Sequence, residues 1–328
     1  MPVYNGEKYL REALESILNQ TFKDFELIIL NDCSTDRSED IVRSYSDARI
    51  VYIKNECNLG LIKTLNRGFD LAKGELIARM DQDDISLPSR FERQVAVFRD
   101  YPQIGVCGTC FTLFGQETEE KTIIHPEKPA EIKISLLSGC YIGHPTVMLR
   151  KKSIQGLRYD DDYQAGEDYE FWTRLSRITE LYNIQESLLR YRWHQTNMSI
   201  LQNTAQSENS NKIIGNQLSY VGIDSNDSNI AYCQLLFSNG YIQQLTVNHF
   251  IEIAEFANLL EIKNSKKVFY DGELLRTRIS ERLSYMLDRT IKDNRQLLPF
   301  LLSKRSDLIK RRGTAANLKL MAKIILKK

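Results

Sequence analysis

The sequence has no run of about 18 apolar residues, so no transmembrane helix is expected. Its six cysteines are too few for a disulfide scaffold in 328 residues. With 44 basic against 43 acidic side chains, it lacks the basic surplus of a nucleic-acid binder. It has no glycine-rich dinucleotide fingerprint and no internal repeat. Nor does it open as a signal peptide does, because Met1 runs directly into the turn-like Pro2-Val3-Tyr4-Asn5-Gly6. What survives these exclusions is a soluble, cytoplasmic globular protein in a reducing compartment.

The length exceeds one ordinary domain and suggests a large α/β unit with an appendage. Charge is unevenly spread. Residues 303–328 carry nine Lys/Arg and one acid, Asp307, a net of +8, so the other residues sum to −7.

Helical and strand periods alternate from the start. Leu10, Ala13, Leu14, Ile17 and Leu18 predict an amphipathic helix over 7–19. Residues 25–30 form the short apolar run of a buried parallel strand, and 31–36 close it with turn and cap residues. A polar helix near 37–46, a strand over 50–53 and a helix from Gly60 to Gly74 follow. The strand 75–80 ends in Asp81-Gln82-Asp83-Asp84, and Pro88 opens a helix with Phe91, Val95 and Phe98 on its buried face. Strands are expected over 104–114, 142–149 and 188–193, with an aromatic helix over 167–178. Residues 195–212, rich in Gln, Asn and Ser, read as a linker, and 229–328 as helical throughout. This order implies a mostly parallel sheet with helices on both faces. Ligands of such sheets bind beyond the carboxyl ends of the strands, where both acidic strings fall.

Asp81 and Asp83 are two apart, so in extended chain their side chains share a face. Two carboxylates there make a hard oxygen site suited to Mg²⁺ or Mn²⁺, a cation that stabilises a departing diphosphate. The bland reading, a solvated acidic turn, is weakened by the preceding apolar strand and by Asp32 at a neighbouring strand end.

Several separated motifs occur in one order. They are Pro2-Val3-Tyr4-Asn5-Gly6 with Tyr9-Leu10; residues 16–22; Phe25-Glu26-Leu27-Ile28; Asp32-x-Ser34-Thr35-Asp36; and Asn58-x-Gly60. Gly74-Glu75, Asp81-Gln82-Asp83-Asp84, Leu87-Pro88-x-Arg90 and Gly166-Glu167-Asp168 continue the series. Over roughly residues 1–200 the chain closely resembles the family 2 glycosyltransferases. The resemblance implies a GT-A type nucleotide-binding fold over 1–200, followed by a helical region 201–328. It also implies an inverting, hexosyltransferase-type reaction with a nucleotide-sugar donor, a divalent cation (Mn²⁺ or Mg²⁺) and a glycan or lipid-linked acceptor in surface polysaccharide synthesis.

By the same resemblance Tyr4 and the backbone at Val3 line the base pocket, and Asp32 accepts from the uracil N–H. Lys63 or Arg67 touches base or phosphate. Asp81 faces the ribose; Asp83 and Asp84 are metal ligands, joined by His194 of Tyr191-Arg192-Trp193-His194, which precedes Ser199. Asp168 is the general base, though acids at a helix start are also favoured by the helix dipole. Glu170, Phe171 and Trp172 could shape an acceptor pocket, with Trp172 read first as core. His144 is read as structural before acceptor-lining.

Two departures stand out. Asn31 replaces the first acid of the usual Asp-Asp turn. Family members also carry an apolar strand before Pro-x-Tyr-Asn, where this chain has only Met1, so a truncated start is expected. The Cys107-Gly108-Thr109-Cys110 spacing lies inside a strand and reads as core. Leu318, Met321, Ile324 and Ile325, with Lys319, Lys323 and Lys327 on another face, predict a basic amphipathic helix. Such a helix could lie on the inner face of an anionic membrane or pack on its own domain. Two other functions fit parts of the sequence. A haloacid-dehalogenase-type phosphohydrolase needs Thr or Val where Ile85 stands and leaves Asp32 and Asp168 unexplained. A non-catalytic nucleotide-sugar-binding subunit would show a broken D-x-D or a lost base.

Overall fold

The structure is a computed structural model describing residues 1–115, 118–154, 156–195, 203–238, 240 and 245–289. The basic stretch 303–328 and Ser199 lie outside the described residues.

The described chain divides into two compact units, Met1–Lys133 with Cys140–Ser210, and Ile134–Gly139 with the residues from Asn211. In the first unit, helix α1 (Leu10–Leu18) buries Leu10, Ala13, Leu14 and Ile17, as its apolar spacing predicts. Strand β2 (Leu27–Asn31) is apolar on both faces and lies between two parallel partners, β1 (Pro2–Val3) and β3 (Ile50–Lys54). Helices α2 (Ser38–Arg43) and α3 (Leu61–Leu71) alternate with these strands.

A second sheet begins with β4 (Leu76–Ala78) and β5 (Ile85–Ser86), with helix α4 (Arg90–Asp100) between β5 and the long β6 (Ile104–Phe114). It continues through β7 (Lys121–Ile123), β8 (Met148–Arg150) and β9 (Glu180–Arg192), in the order β4-β8-β6-β9-β5 with β7 on β6. Here the expectation of a mostly parallel sheet needs correcting. The first sheet is parallel throughout, but in the second only the β6–β9 pair runs parallel among the described residues; β4–β8, β5–β9, β6–β7 and β6–β8 are antiparallel. The predicted strand 142–149 is also shorter. Pro145, which donates no ladder hydrogen bond, sits in a 3₁₀ turn over His144–Thr146, and the strand starts at Met148.

Pro2 and Val3 form the two-residue β1, in register with Leu30 and Asn31. β1 pairs with β2 alone, and β4 belongs to the other sheet. A cavity of about 920 Å³ separates β2 from β4, bordered by Leu27, Leu30, Leu76, Phe69 and Phe91. The Met1 amino group donates to the Ile28 carbonyl at 2.9 Å, and burial lowers its pKa to about 5.

Helices α5 (Pro129–Ser135) and α6 (Glu167–Leu175) complete the α/β part. The proposed linker over 195–212 is in fact helical from Asn203, where α7 (Asn203–Tyr220) begins. Its early turns are polar, which hides the period; the buried anchors Ile213, Ile214 and Leu218 come only later. In the second unit the Gln217 carboxamide donates to the Leu136 carbonyl at 2.7 Å, fixing α7 on Ile134–Gly139. Helices α8 (Asp227–Phe237), α9 (Val247–Lys267) and α10 (Gly272–Arg289) follow, α8 and α9 capped by the Asn226 and Thr246 side chains. Among the described residues no helix is long and apolar enough to cross a membrane.

Gln20 ties the first helix to the second sheet. Fully buried, it donates to Ser16 O, Ser86 Oγ and Leu87 O and accepts from Phe91 N at 3.0 Å. Gln20→Leu is expected to lose about 2–4 kcal/mol of stability, because several buried groups lose their partner at once. Urea denaturation checks this, an unchanged midpoint contradicting it.

Candidate functional site

The three carboxylates at the end of β4 converge. Oxygens of Asp81, Asp83 and Asp84 lie within 4.8 Å of one another. Asp84 is buried; its Oδ1 accepts from Arg192 N at 2.9 Å, and its Oδ2 has no partner among the described residues. Burial, then the charges of Asp81 and Asp83, push the Asp84 carboxyl well above its ordinary pKa, and burial raises Asp81 too. Crowded carboxylates with one unpaired buried oxygen fit a hard divalent cation such as Mn²⁺ or Mg²⁺. His194, at the end of β9, places Nε2 3.0 Å from Asp83 Oδ2 and stacks on Tyr9. It stands outside the three-carboxylate group and meets it through Asp83.

Arg79 balances this charge. It is 8% exposed, and its guanidinium donates to Asp81 Oδ2. Its charge lowers the pKa of Asp81 and Asp84, and of Glu167 and Asp168 as well, so both acidic groups lie around one buried cation. The sequence reading passed over Arg79. Its signal was the i, i+2 spacing to Asp81, which puts both on one face of an extended chain. Arg90, of the Leu87-Pro88-x-Arg90 motif, is fully buried and donates to the Arg79 carbonyl at 2.7 Å.

Asp168 stands in the first turn of α6. The chain reaches it through Ala165 at φ +63° and Gly166 at φ +143°, positive values that suit glycine at 166 and strain the alanine. Asp168 Oδ1 accepts from Tyr169 N at 2.7 Å, and Oδ2 accepts from the Cys140 thiol at 3.5 Å. Burial raises its pKa. Burial, then Asp168, brings neighbouring Glu167 to about 7. His144 Nδ1 lies 3.8 Å from Glu167 Oε1, while its Nε2 shares a 2.9 Å hydrogen bond with the Tyr159 hydroxyl. Burial holds His144 well below its ordinary pKa, so it is neutral and packs among Tyr159 and Trp172.

The acceptor-pocket expectation for Glu170 and Phe171 is corrected here, whereas Trp172 lies in the core, the reading placed first for it. Phe171 and Trp172 are fully buried, and Glu170 is taken up by Arg174 at 2.5 Å. The helix is buried almost all round, from Tyr169 to Thr173 and again at Leu175, so residues that follow Asp168 closely in sequence enter the core. Cys107 and Cys110 are buried free thiols, as a core reading requires.

Of the predicted nucleotide-binding residues, Tyr4 is 48% exposed at the end of β1, and Val3 is buried with its carbonyl accepting from Asp32 N at 2.7 Å. The Asp32 carboxylate is occupied by the chain itself. It accepts from Asn55 Nδ2 at 2.6 Å, Leu59 N at 2.8 Å and Gly60 N at 2.9 Å. Asp32 therefore fixes the turn into α3, where Gly60 adopts φ +84°. Arg67 donates to the Asn55 carboxamide and so joins the same network. Lys63 stands apart, 3.9 Å from Asp161 in an exposed pair. Asn55 was missed because nothing local in sequence marks its contact with Asp32.

Residues 1–157 match the family profile Glycosyl transferase family 2. An uncharacterized glycosyltransferase of Methanocaldococcus jannaschii is 36% identical over 199 residues, 58% of this chain and 69% of that protein. One of Haemophilus influenzae is 33% identical over 238 residues, 67% and 74% of the two chains. Among solved structures, S. aureus TarS 1–349 in complex with UDP-GlcNAc superposes with a TM-score of 0.55 at 18% identity, covering 88% of this chain and 90% of that one. A mannosyltransferase of Pyrobaculum calidifontis in complex with GDP-Man and Mn²⁺ gives 0.51 at 13% identity, covering 100% and 86%. These likenesses establish a GT-A fold.

Proposed function

The chain belongs to the family 2 glycosyltransferases, and from that premise we propose which reaction its site performs. The reaction is transfer of a sugar, with inversion, from a nucleotide-sugar donor, a UDP-sugar, to a hydroxyl of a glycan or lipid-linked acceptor in surface polysaccharide synthesis. One observation carries the reading. The carboxyls of Asp81, Asp84 and Asp168 lie within the field of the buried Arg79, and Asp83 is gathered with Asp81 and Asp84 beyond the carboxyl end of β4. That the two ligand-bound structures above carry UDP-GlcNAc and GDP-Man with Mn²⁺ supports a nucleotide-sugar donor and a cation.

Asp81, Asp83 and Asp84 would hold a divalent cation, Mn²⁺ or Mg²⁺, which supplies positive charge for the departing diphosphate. His194 orients Asp83 by its hydrogen bond. Exposed Tyr4 offers a ring to the base, and Asp32 holds the turn at Leu59 and Gly60, forming a pocket wall. Arg67 steadies that wall through Asn55. Asp168 takes the proton of the acceptor hydroxyl as its oxygen bonds to the anomeric carbon and the bond to the diphosphate oxygen breaks. A single displacement of this kind inverts the configuration. Burial suits the base to this role, since a poorly hydrated carboxylate holds a proton more tightly. Peripheral contact with an anionic membrane through 303–328 belongs to the same reading, resting on the net charge of that stretch.

Four outcomes are expected. Calorimetry with uridine diphosphate gives binding in Mn²⁺ that is absent in EDTA and in Asp83→Ala; cation-independent binding would count against the site. Asp168→Asn lowers kcat, read as UDP release over a panel of glycan acceptors, by about 10²–10⁴-fold with little change in donor affinity. In the wild-type enzyme kcat/KM rises with pH through a value above the ordinary Asp range, because only the ionised form of Asp168 accepts a proton and burial raises its pKa. An acid limb below that range would remove Asp168 from the role. Deleting 303–328 abolishes sedimentation with anionic liposomes, retained sedimentation excluding that surface.

A further inference from the structure

Gln82, the middle residue of the D-x-D, reaches across to the opposite sheet. Its carboxamide accepts from Tyr4 N at 2.9 Å and donates to Tyr4 O at 3.0 Å. Both backbone groups of Tyr4 are thus paired as a neighbouring strand would pair them. No strand does so, because β1 and β4 belong to separate sheets. The residues after Tyr4 are secured on their other side. Asn5 N, Gly6 N and Glu7 N donate to the side chains of Ser34, Ser38 and Asp36 at 3.0, 2.9 and 2.8 Å. Gly6 leaves the room for the clamp, since a Cβ there would lie 2.4 Å from Gln82 Oε1.

We propose that Gln82 is a positioning residue that couples the cation site to the nucleoside pocket. The inference rests on the donor site proposed above. Gln82 is flanked by Asp81 and Asp83, so a cation that holds both carboxylates fixes the backbone on either side of it. Two hydrogen bonds carry that constraint to Tyr4. The coupling is reciprocal by linkage, so a nucleoside seated at Tyr4 tightens cation binding by the same factor. A residue that only stabilised the fold would change both affinities without linking them.

Uridine, which has no phosphate to meet the cation directly, isolates this effect. Its dissociation constant is measured by NMR titration with and without saturating Mn²⁺, on the wild type, Gln82→Met and Gly6→Ala. Methionine keeps the length of the side chain and removes both hydrogen bonds. Alanine at position 6 displaces the carboxamide while leaving Gln82 in place. The wild type is expected to bind uridine about 5- to 10-fold tighter with Mn²⁺, within the ordinary range of coupling. Both variants are expected to bind it equally with and without the cation. A cation-independent wild type, or a variant that keeps the wild-type ratio, overturns the proposal. Thermal midpoints are recorded alongside; if Gln82→Met does not fold, Gly6→Ala decides. Uridine diphosphate with Mn²⁺ is the parallel control: failure of the wild type to bind it overturns the donor reading itself, whereas binding with an unaltered variant ratio overturns only the role of Gln82.

Discussion

Three carboxylates gathered at one strand end repel each other, and burial makes the charges of Asp81 and Asp84 costlier still. Arg79 is the counterweight. Its guanidinium is buried beside Asp81, and its charge acts on Asp84, Glu167 and Asp168 as well. Holding a cation there is itself demanding, and the surroundings are arranged for it. Arg90 lies behind Arg79, giving hydrogen bonds to the carbonyls of Arg79 and Val147 rather than a competing acid. That second buried cation gives way, its pKa lowered to about 9 by burial and by Arg79. The acidic end of β4, the start of α6 and the helix after Pro88 are thereby tied to one charge balance.

The balance is incomplete among the described residues. Asp84 keeps one carboxylate oxygen unpaired in a buried setting, and Arg79 keeps its Nε unpaired. Unpaired buried polar atoms are costly in a merely structural cluster, and they mark places where a ligand completes the arrangement. Strain is found nearby as well. Ala165 in the left-handed region precedes the turn that sets Asp168 at its helix start. Stability is given up at the residues that the proposed reaction uses, while Gln20 and Gln94 are fully buried with their carboxamides hydrogen-bonded.

Much of this was legible along the chain. Apolar spacing predicts α1, the run Leu27-Ile28-Ile29-Leu30 predicts a buried strand, and the acidic turns fall at strand ends where ligands of α/β sheets bind. Local reading failed where a partner from far along the chain decides the outcome. Glu170, Phe171 and Trp172 follow Asp168 and yet face inward, because α6 is buried almost all round. The polar start of α7 resembles a loop until its later anchors are considered. Asp32 resembles a free ligand carboxylate until Asn55, Leu59 and Gly60 are found around it.

The sequence by itself determined the family, the alternation of strands and helices, and which acids end which strands. These follow from side-chain period and from residues adjacent in the chain. Only the tertiary structure decided that the sheet is divided between β2 and β4, that Arg79 joins the D-x-D to Asp168, and that Gln82 bridges the division to Tyr4. Each of those pairings spans from tens of residues to nearly ninety in sequence. Hydrogen bonds and buried charges act over a few ångströms of space, and only folding sets that separation.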